Sequence, residues 1–195
     1  MHKYIFSLIA IGLTVFAFFP YIRSILKGKI KPHVFSWIIW GMTTFIAFLA
    51  QLKDNGGAGA WPIGISGLIT IYVAVIAFIN KSDNSITKMD WLFFILAISS
   101  IPFWYLTSDP LIAILILTIT DLLGFGPTIK KSYYFPFEEK ISFFLLFLVR
   151  NIISIFALEH YSLTTVLFPG FIAFACFSLI LLLLIRRKIL NTDES

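Results

Sequence analysis

Asp121, Arg150 and Asn151 are the residues of this chain whose types could carry chemistry where they stand, because they interrupt apolar runs near the middle. A charged side chain at the centre of a bilayer costs on the order of 2.5 to 3.5 kcal/mol on insertion scales, so it normally faces a bundle interior or water and takes a partner. Asp121 and Arg150 stand at similar depth on consecutive apolar segments, which predicts an interaction between them, direct or through water. Such a pair would serve either as a ligand site or as a structural clamp that specifies the fold. Helical spacing puts Phe147, Arg150, Asn151 and Ser154 on one face, and Thr118, Asp121 and Phe125 on another.

The elements that must carry these residues are membrane helices. Of the 195 residues, 59% are hydrophobic and 13% charged, with 22 phenylalanines and a mean hydropathy of +0.94. A soluble domain has roughly 25% charged residues, so too little polar surface is present to face water on all sides. Taking about 20 residues as one crossing of a hydrocarbon core about 30 Å thick, seven apolar segments are expected to span. They run over Tyr4–Ile25, Val34–Leu52, Trp61–Asn80, Trp91–Leu106, Leu111–Ile129, Ile141–Leu158 and Leu163–Ile185. The runs are continuous rather than alternating, which points to helices and away from a transmembrane barrel. The first segment lacks a small-x-small cleavage site and is expected to be retained.

Seven spans sort the basic residues onto two sides. Lys3 and Lys53 fall on one; Arg23, Lys27, Lys29, Lys31, Lys81, Lys88, Lys130, Lys131, Lys140, Arg186, Arg187 and Lys188 fall on the other. The positive-inside rule places the second group in the cytoplasm, so the amino terminus is expected outside and the carboxyl terminus inside. The +5 net charge is therefore a topology signal, and no nucleic acid is expected as a partner.

An internal repeat organises the spans. An offset of 107 residues carries Pro20 onto Pro127 and Trp61-Pro62 onto Phe168-Pro169, and it also matches the basic stretches after the first prolines. The expected organisation is a three-helix unit over residues 1–80, a linker with the fourth helix over 81–109, a second three-helix unit over 110–188, and a cytoplasmic tail over 189–195. An odd number of spans between the units gives them the same orientation, and parallel repeats usually place a solute site between them near midplane.

In this layout the chain resembles the PQ-loop and SWEET superfamily of seven-helix transporters. The resemblance is carried by Phe19-Pro20-Tyr21 followed by Lys27-Gly28-Lys29 and Ser36-Trp37, and by Gly126-Pro127-Thr128 with Lys130-Lys131 and Ser142. Tyr21 and Thr128 stand where the glutamine that names the family would be. The resemblance implies a three-one-three arrangement and makes Pro20 and Pro127 helix-bending hinges in alternating access. Proline removes a backbone donor and can kink a helix, while Pro62 fits an ordinary helix start.

The offset relates the Arg150 face to Trp40, Thr43, Thr44 and Ala47, and the Asp121 face to Thr14 and Phe18. Asp121, Arg150, Asn151, Trp40, Thr43, Thr44, Thr14 and Thr118 are therefore the candidate solute-binding residues, with Trp40 as the stacking surface. The expected function is a transporter, facilitator or proton-coupled, for a small polar solute such as a sugar, amino acid or vitamin. The alternative is a seven-helix receptor or sensor resembling the KDEL receptor, which binds without transporting. No enzyme activity is expected, since His2, His33 and His160 lie at or beyond span ends, and no metal or cofactor is implied. Cys176 reads as a small core residue. The expected partners are the solute and the lipid bilayer, with a homo-oligomer also open, and the expected location is the plasma membrane of a bacterium.

Overall fold

Long apolar stretches in lipid must satisfy their backbone groups internally, and these stretches do so as helices. The computed structural model describes residues 2–29, 32–80, 86–137, 139 and 141–193; the side chains of 126, 127, 130, 131 and 191–193 lie outside the described residues. The helices are α1 (His2–Leu26), α2 (Val34–Lys53), α3 (Trp61–Ile79), α4 (Lys88–Thr107), α5 (Pro110–Tyr134), α6 (Ile141–Phe156) and α7 (Leu163–Asp193). A short 3-10 turn, Gly57–Ala60, leads into α3, and no strand occurs among the described residues.

Among the described residues, five helices are long and apolar enough to cross a membrane: α1, α2, α3 with its preceding turn, α4, and α7 as far as Leu190. Helix α6 is apolar but shorter, and α5 is apolar over Pro110–Phe125 and continues to Tyr134. At 1.5 Å per residue the 16 residues of α6 rise about 24 Å, less than a full hydrocarbon core. The outer surface is that of a membrane-embedded protein. Leu8 and Phe16 on α1 are 68% and 69% exposed, and large apolar side chains are likewise exposed on every other helix, far beyond the patches a soluble monomer tolerates.

Packing follows a pattern that chain order does not announce. Helix α3 packs on both α1 and α2, and α7 packs on both α5 and α6, so each third helix bridges the two before it. Between the two groups α1 packs on α6 and α2 on α5, while α4 lies along α5 and reaches α2. One core cluster joins Ile46 and Ala47 of α2 and Ile63 of α3 to Ile114 and Leu117 of α5 and Phe168 of α7. A glycine permits a close approach of α2 and α3: a Cβ on Gly41 would lie 2.7 Å from Ile71 Cγ1 and 3.1 Å from the Ile71 backbone nitrogen. Small residues serve such crossings generally.

The helix ends are built by side chains. Pro62 sits in the first turn of α3, where a missing N–H costs nothing. Pro20 lies inside α1, with Ser24 Oγ donating to its carbonyl at 2.8 Å; the side chain of Pro127, the second expected hinge, lies outside the described residues. Thr87 caps α4 in a reciprocal box: the Asp90 N–H donates to Thr87 Oγ1 at 3.2 Å, and the Thr87 N–H donates to the Asp90 carboxylate at 2.8 Å. Thr87→Ala is expected to cost about 1 kcal/mol, which lowers the thermal midpoint of the purified protein by about 2–4 °C.

At the end of the bundle where α1 begins, the α2–α3 connection is fastened to the α6–α7 connection. The Glu159 N–H donates to the Gly56 carbonyl at 3.1 Å, and the Ala58 N–H donates to Glu159 Oε1 at 3.2 Å. Ser162 Oγ donates to the Asp54 carboxylate, and His160 Nδ1 donates to the Asp54 carbonyl at 3.0 Å. Gln51 Nε2 donates to the Thr165 carbonyl at 2.8 Å. Lys3 of α1 joins them from the side, donating to the Phe156 carbonyl at 2.9 Å and the Tyr161 hydroxyl at 3.0 Å. Gly57, at φ +59°, and Gly59 have no room for a side chain between these loops: a Cβ would fall 2.2 Å from Glu159 Cδ and 2.5 Å from the Leu158 nitrogen, respectively.

Candidate functional site

The opposite end of the bundle holds a cavity of about 370 Å³ between α2, α4 and α5. It begins at the starts of α2 and α4, with the caps His33 and Thr87 and the first-turn residues Ser36 and Asp90, beside Thr128 of α5. It reaches inward along α2 to Trp40 and along α5 to Asp121, near the middle of that helix. From His33 to Trp40 is seven residues, or about 10 Å of helix rise. Phe93, Ile39 and Met89 supply apolar wall, and Thr120 and Gly124 complete the α5 side.

The mouth is organised by the cap of α4. Asp90 Oδ2 accepts from Thr87 and also lies 3.9 Å from His33 Nε2, which links the start of α4 to the start of α2. His33 in turn caps α2, with its Nδ1 2.7 Å from Ser36 Oγ. The deep end is different. Asp121 is 6% exposed, and its Oδ1 has no hydrogen-bond partner among the described residues. The Thr43 hydroxyl of α2, which donates to the Trp40 carbonyl at 3.1 Å, acts on the Asp121 carboxyl from across the helix interface. A buried polar group without full satisfaction is costly, so such a group needs a reason to persist.

Of the residues expected to form the site, the structure gathers three. Trp40 and Asp121 line the cavity, and Thr43 stands against Asp121. Arg150 and Asn151 are buried on α6 but serve each other: Arg150 Nη1 donates to Asn151 Oδ1 at 2.9 Å, and Asn151 Nδ2 donates to the Phe147 carbonyl at 2.7 Å. The Arg150 guanidinium lies over the Phe147 ring, 5.2 Å from its centroid. Thr14 is spent within its own helix, donating to the Ala10 carbonyl at 2.8 Å. Thr118 is buried with an unpartnered hydroxyl away from the cavity walls, and Thr44 is half-buried and also outside them.

The expected direct ion pair between Asp121 and Arg150 does not form. No described carboxylate lies within ion-pair distance of Arg150. The cause is packing order, because α5 and α6 are consecutive in sequence but α7 bridges them and they share no substantial interface. Nor do α1 and α6 open a space between them. Phe18 and Phe147 meet edge to face there at 5.5 Å, and Trp37 stacks on Tyr21 at 5.0 Å. Sequence reasoning missed His33, Ser36, Thr87, Asp90, Thr120, Gly124 and Thr128. The Thr87-x-x-Asp90 capping pattern was the readable signal for the mouth, since it fixes a carboxylate at the start of α4. Comparison with family models, curated proteins and solved structures finds no match.

Proposed function

We propose that this chain is a membrane transporter that moves a small polar solute by alternating access of two three-helix units. The observation that carries the reading is the cavity: a buried carboxyl with an oxygen that has no partner among the described residues, lining a largely apolar space with a few polar groups, inside a bundle whose exterior is apolar. Polar groups at membrane depth that face such a space mark solute pathways. The bridging of α1 and α2 by α3, and of α5 and α6 by α7, supports a three-one-three arrangement like that of the PQ-loop and SWEET transporters, with α4 as the linking helix. The cross-contacts α1 with α6 and α2 with α5 exchange under the 107-residue offset, as a parallel repeat requires.

In this reading all seven helices span. Twelve basic residues against two support an amino terminus outside and a carboxyl terminus in the cytoplasm, and the plasma membrane of a bacterium is part of the same proposal. The fastened loops then close the outer side, and the cavity belongs to the inner side. Counterflow in proteoliposomes tests the reading. A panel of labelled polar solutes is expected to contain one that exchanges across the membrane; binding without exchange would make the protein a receptor instead. Running the same uptake with and without a proton gradient separates the two transport modes, since equal rates leave a facilitator, and a gradient-driven increase that Asp121→Asn removes assigns coupling to Asp121.

A further inference from the structure

We infer that the cavity selects a small organic cation, an alkylammonium that carries no carboxylate of its own. Two carboxylates line the space, Asp121 at the deep end and Asp90 at the mouth, and no lysine or arginine does so among the described residues. His33 is the one other titratable group on the described walls, and its Nε2 is 3.9 Å from Asp90. A protonated His33 offsets Asp90 and still leaves Asp121; a neutral one leaves both acids. In either form no cationic side chain on the described walls faces the Asp121 carboxyl at the deep end. Arg150, the other buried charge, is held on α6 by Asn151 and Phe147 and is no part of the cavity.

The remaining wall chemistry agrees. Trp40 and Phe93 present aromatic rings, whose faces attract cations, best when water is excluded. The Ser and Thr hydroxyls can orient a ligand but cannot neutralise it. A zwitterion would have to place its own carboxylate among two acids with no cationic side chain to receive it. A neutral sugar could hydrogen-bond to Asp121 but brings no positive charge to a space lined by two carboxyl groups and aromatic rings. A bare metal ion is a poor fit, because no described group of three or more metal-ligating side chains occurs, and hard cations ask for six or more oxygens. At about 30 Å³ per water-sized group, 370 Å³ accommodates about a dozen such groups, enough for a compact alkylammonium.

This inference rests on the transporter reading only for the passage of the solute, because binding can be measured apart from movement. The test is equilibrium binding of tetramethylammonium to the purified full-length protein in detergent, by calorimetry and by tryptophan fluorescence, with potassium, glucose and glycine as comparisons. Tetramethylammonium is expected to bind in preference to all three, and Asp121→Asn, which removes the charge that attracts it, is expected to weaken it at least about tenfold. Gly124→Leu supplies an independent variant, since a Cβ there meets Trp40 Nε1 at an ordinary 3.4 Å and the longer side chain fills the cavity; it is expected to abolish binding. Equal or tighter binding of glucose, glycine or potassium, undiminished binding by either variant, or no binding of tetramethylammonium overturns the inference. Tetramethylammonium that binds but does not exchange in counterflow leaves the cation site standing and removes the carrier. Exchange of glucose without cation binding does the reverse.

Discussion

Asp121→Asn is expected to cut solute uptake by about ten- to a hundredfold with folding intact, whereas Arg150→Met is expected to keep most of it. The difference comes from what surrounds each charge. Asp121 lines a cavity and has a buried oxygen with no partner among the described residues, so the amide keeps the shape and gives up a charge-assisted contact of roughly 1.5 to 3 kcal/mol to a solute that reaches it. Arg150 is 4% exposed, has an unpartnered Nε and meets no described carboxylate. Replacing a buried charge of that kind with an apolar side chain of similar volume is often neutral or stabilising, offset here by one orphaned oxygen on Asn151. Uptake into proteoliposomes, with the thermal midpoint measured in parallel, reads both effects. If both variants lose uptake equally, the two charges act as one unit and the functional division drawn here between α5 and α6 is wrong.

Gly59→Val is expected to be the most destabilising small substitution at the fastened end. The atoms that a Cβ would meet are all backbone: the Leu158 nitrogen at 2.5 Å, the Leu158 Cα at 2.6 Å and the Ala157 carbonyl carbon at 2.8 Å. No rotamer change relieves them, so the loops must part and give up the hydrogen bonds from Glu159 and Ala58. Overpacking costs about 1–3 kcal/mol and sometimes more, to which the lost hydrogen bonds add. A fall of several degrees in thermal midpoint is the expected reading. Gly12→Ala is the control: a Cβ there meets nothing within 4 Å, and alanine favours a helix interior by roughly 0.8–1 kcal/mol, so stability is expected to hold or rise. A Gly59→Val protein as stable as the control would mean that the loops do not bind each other.

The helices were legible because their signal is the length of an apolar run, which needs no knowledge of neighbours. The expected starts of α2, α3, α6 and α7 coincide with the observed ones, and Cys176 is buried as its surroundings implied. The ends were less legible, since α5 and α7 continue past Ile129 and Ile185 through polar residues that pattern alone assigns to loops. Within the site, Asp121 and Trp40 could be found because polar or aromatic groups deep in apolar segments are few. The pairing of Asp121 with Arg150 could not be judged, because depth along a helix says nothing about which helix inserts beside it. Thr14 and Asn151 show a second limit. Both bond to a carbonyl four residues earlier, and such local satisfaction is invisible when a polar residue is read as pointing inward. The mouth was missed because His33, Thr87 and Asp90 double as helix caps, and residues with an evident local task attract no further question.

The fastened loops also bear on how affinity would look from the two faces of a membrane. A conformer sealed at one end exchanges ligand only through the other, so occupancy answers to the concentration on that side. A ligand arriving at the sealed side meets only the fraction of molecules whose loops have parted, and its apparent Kd is raised by the inverse of that fraction. Each 1.4 kcal/mol held in the contacts of Asp54, Glu159, His160 and Ser162 would thus weaken apparent binding from that side tenfold. The intrinsic contacts in the cavity need not change at all. Sidedness, in such a molecule, is written into a loop junction far from the groups that touch the solute.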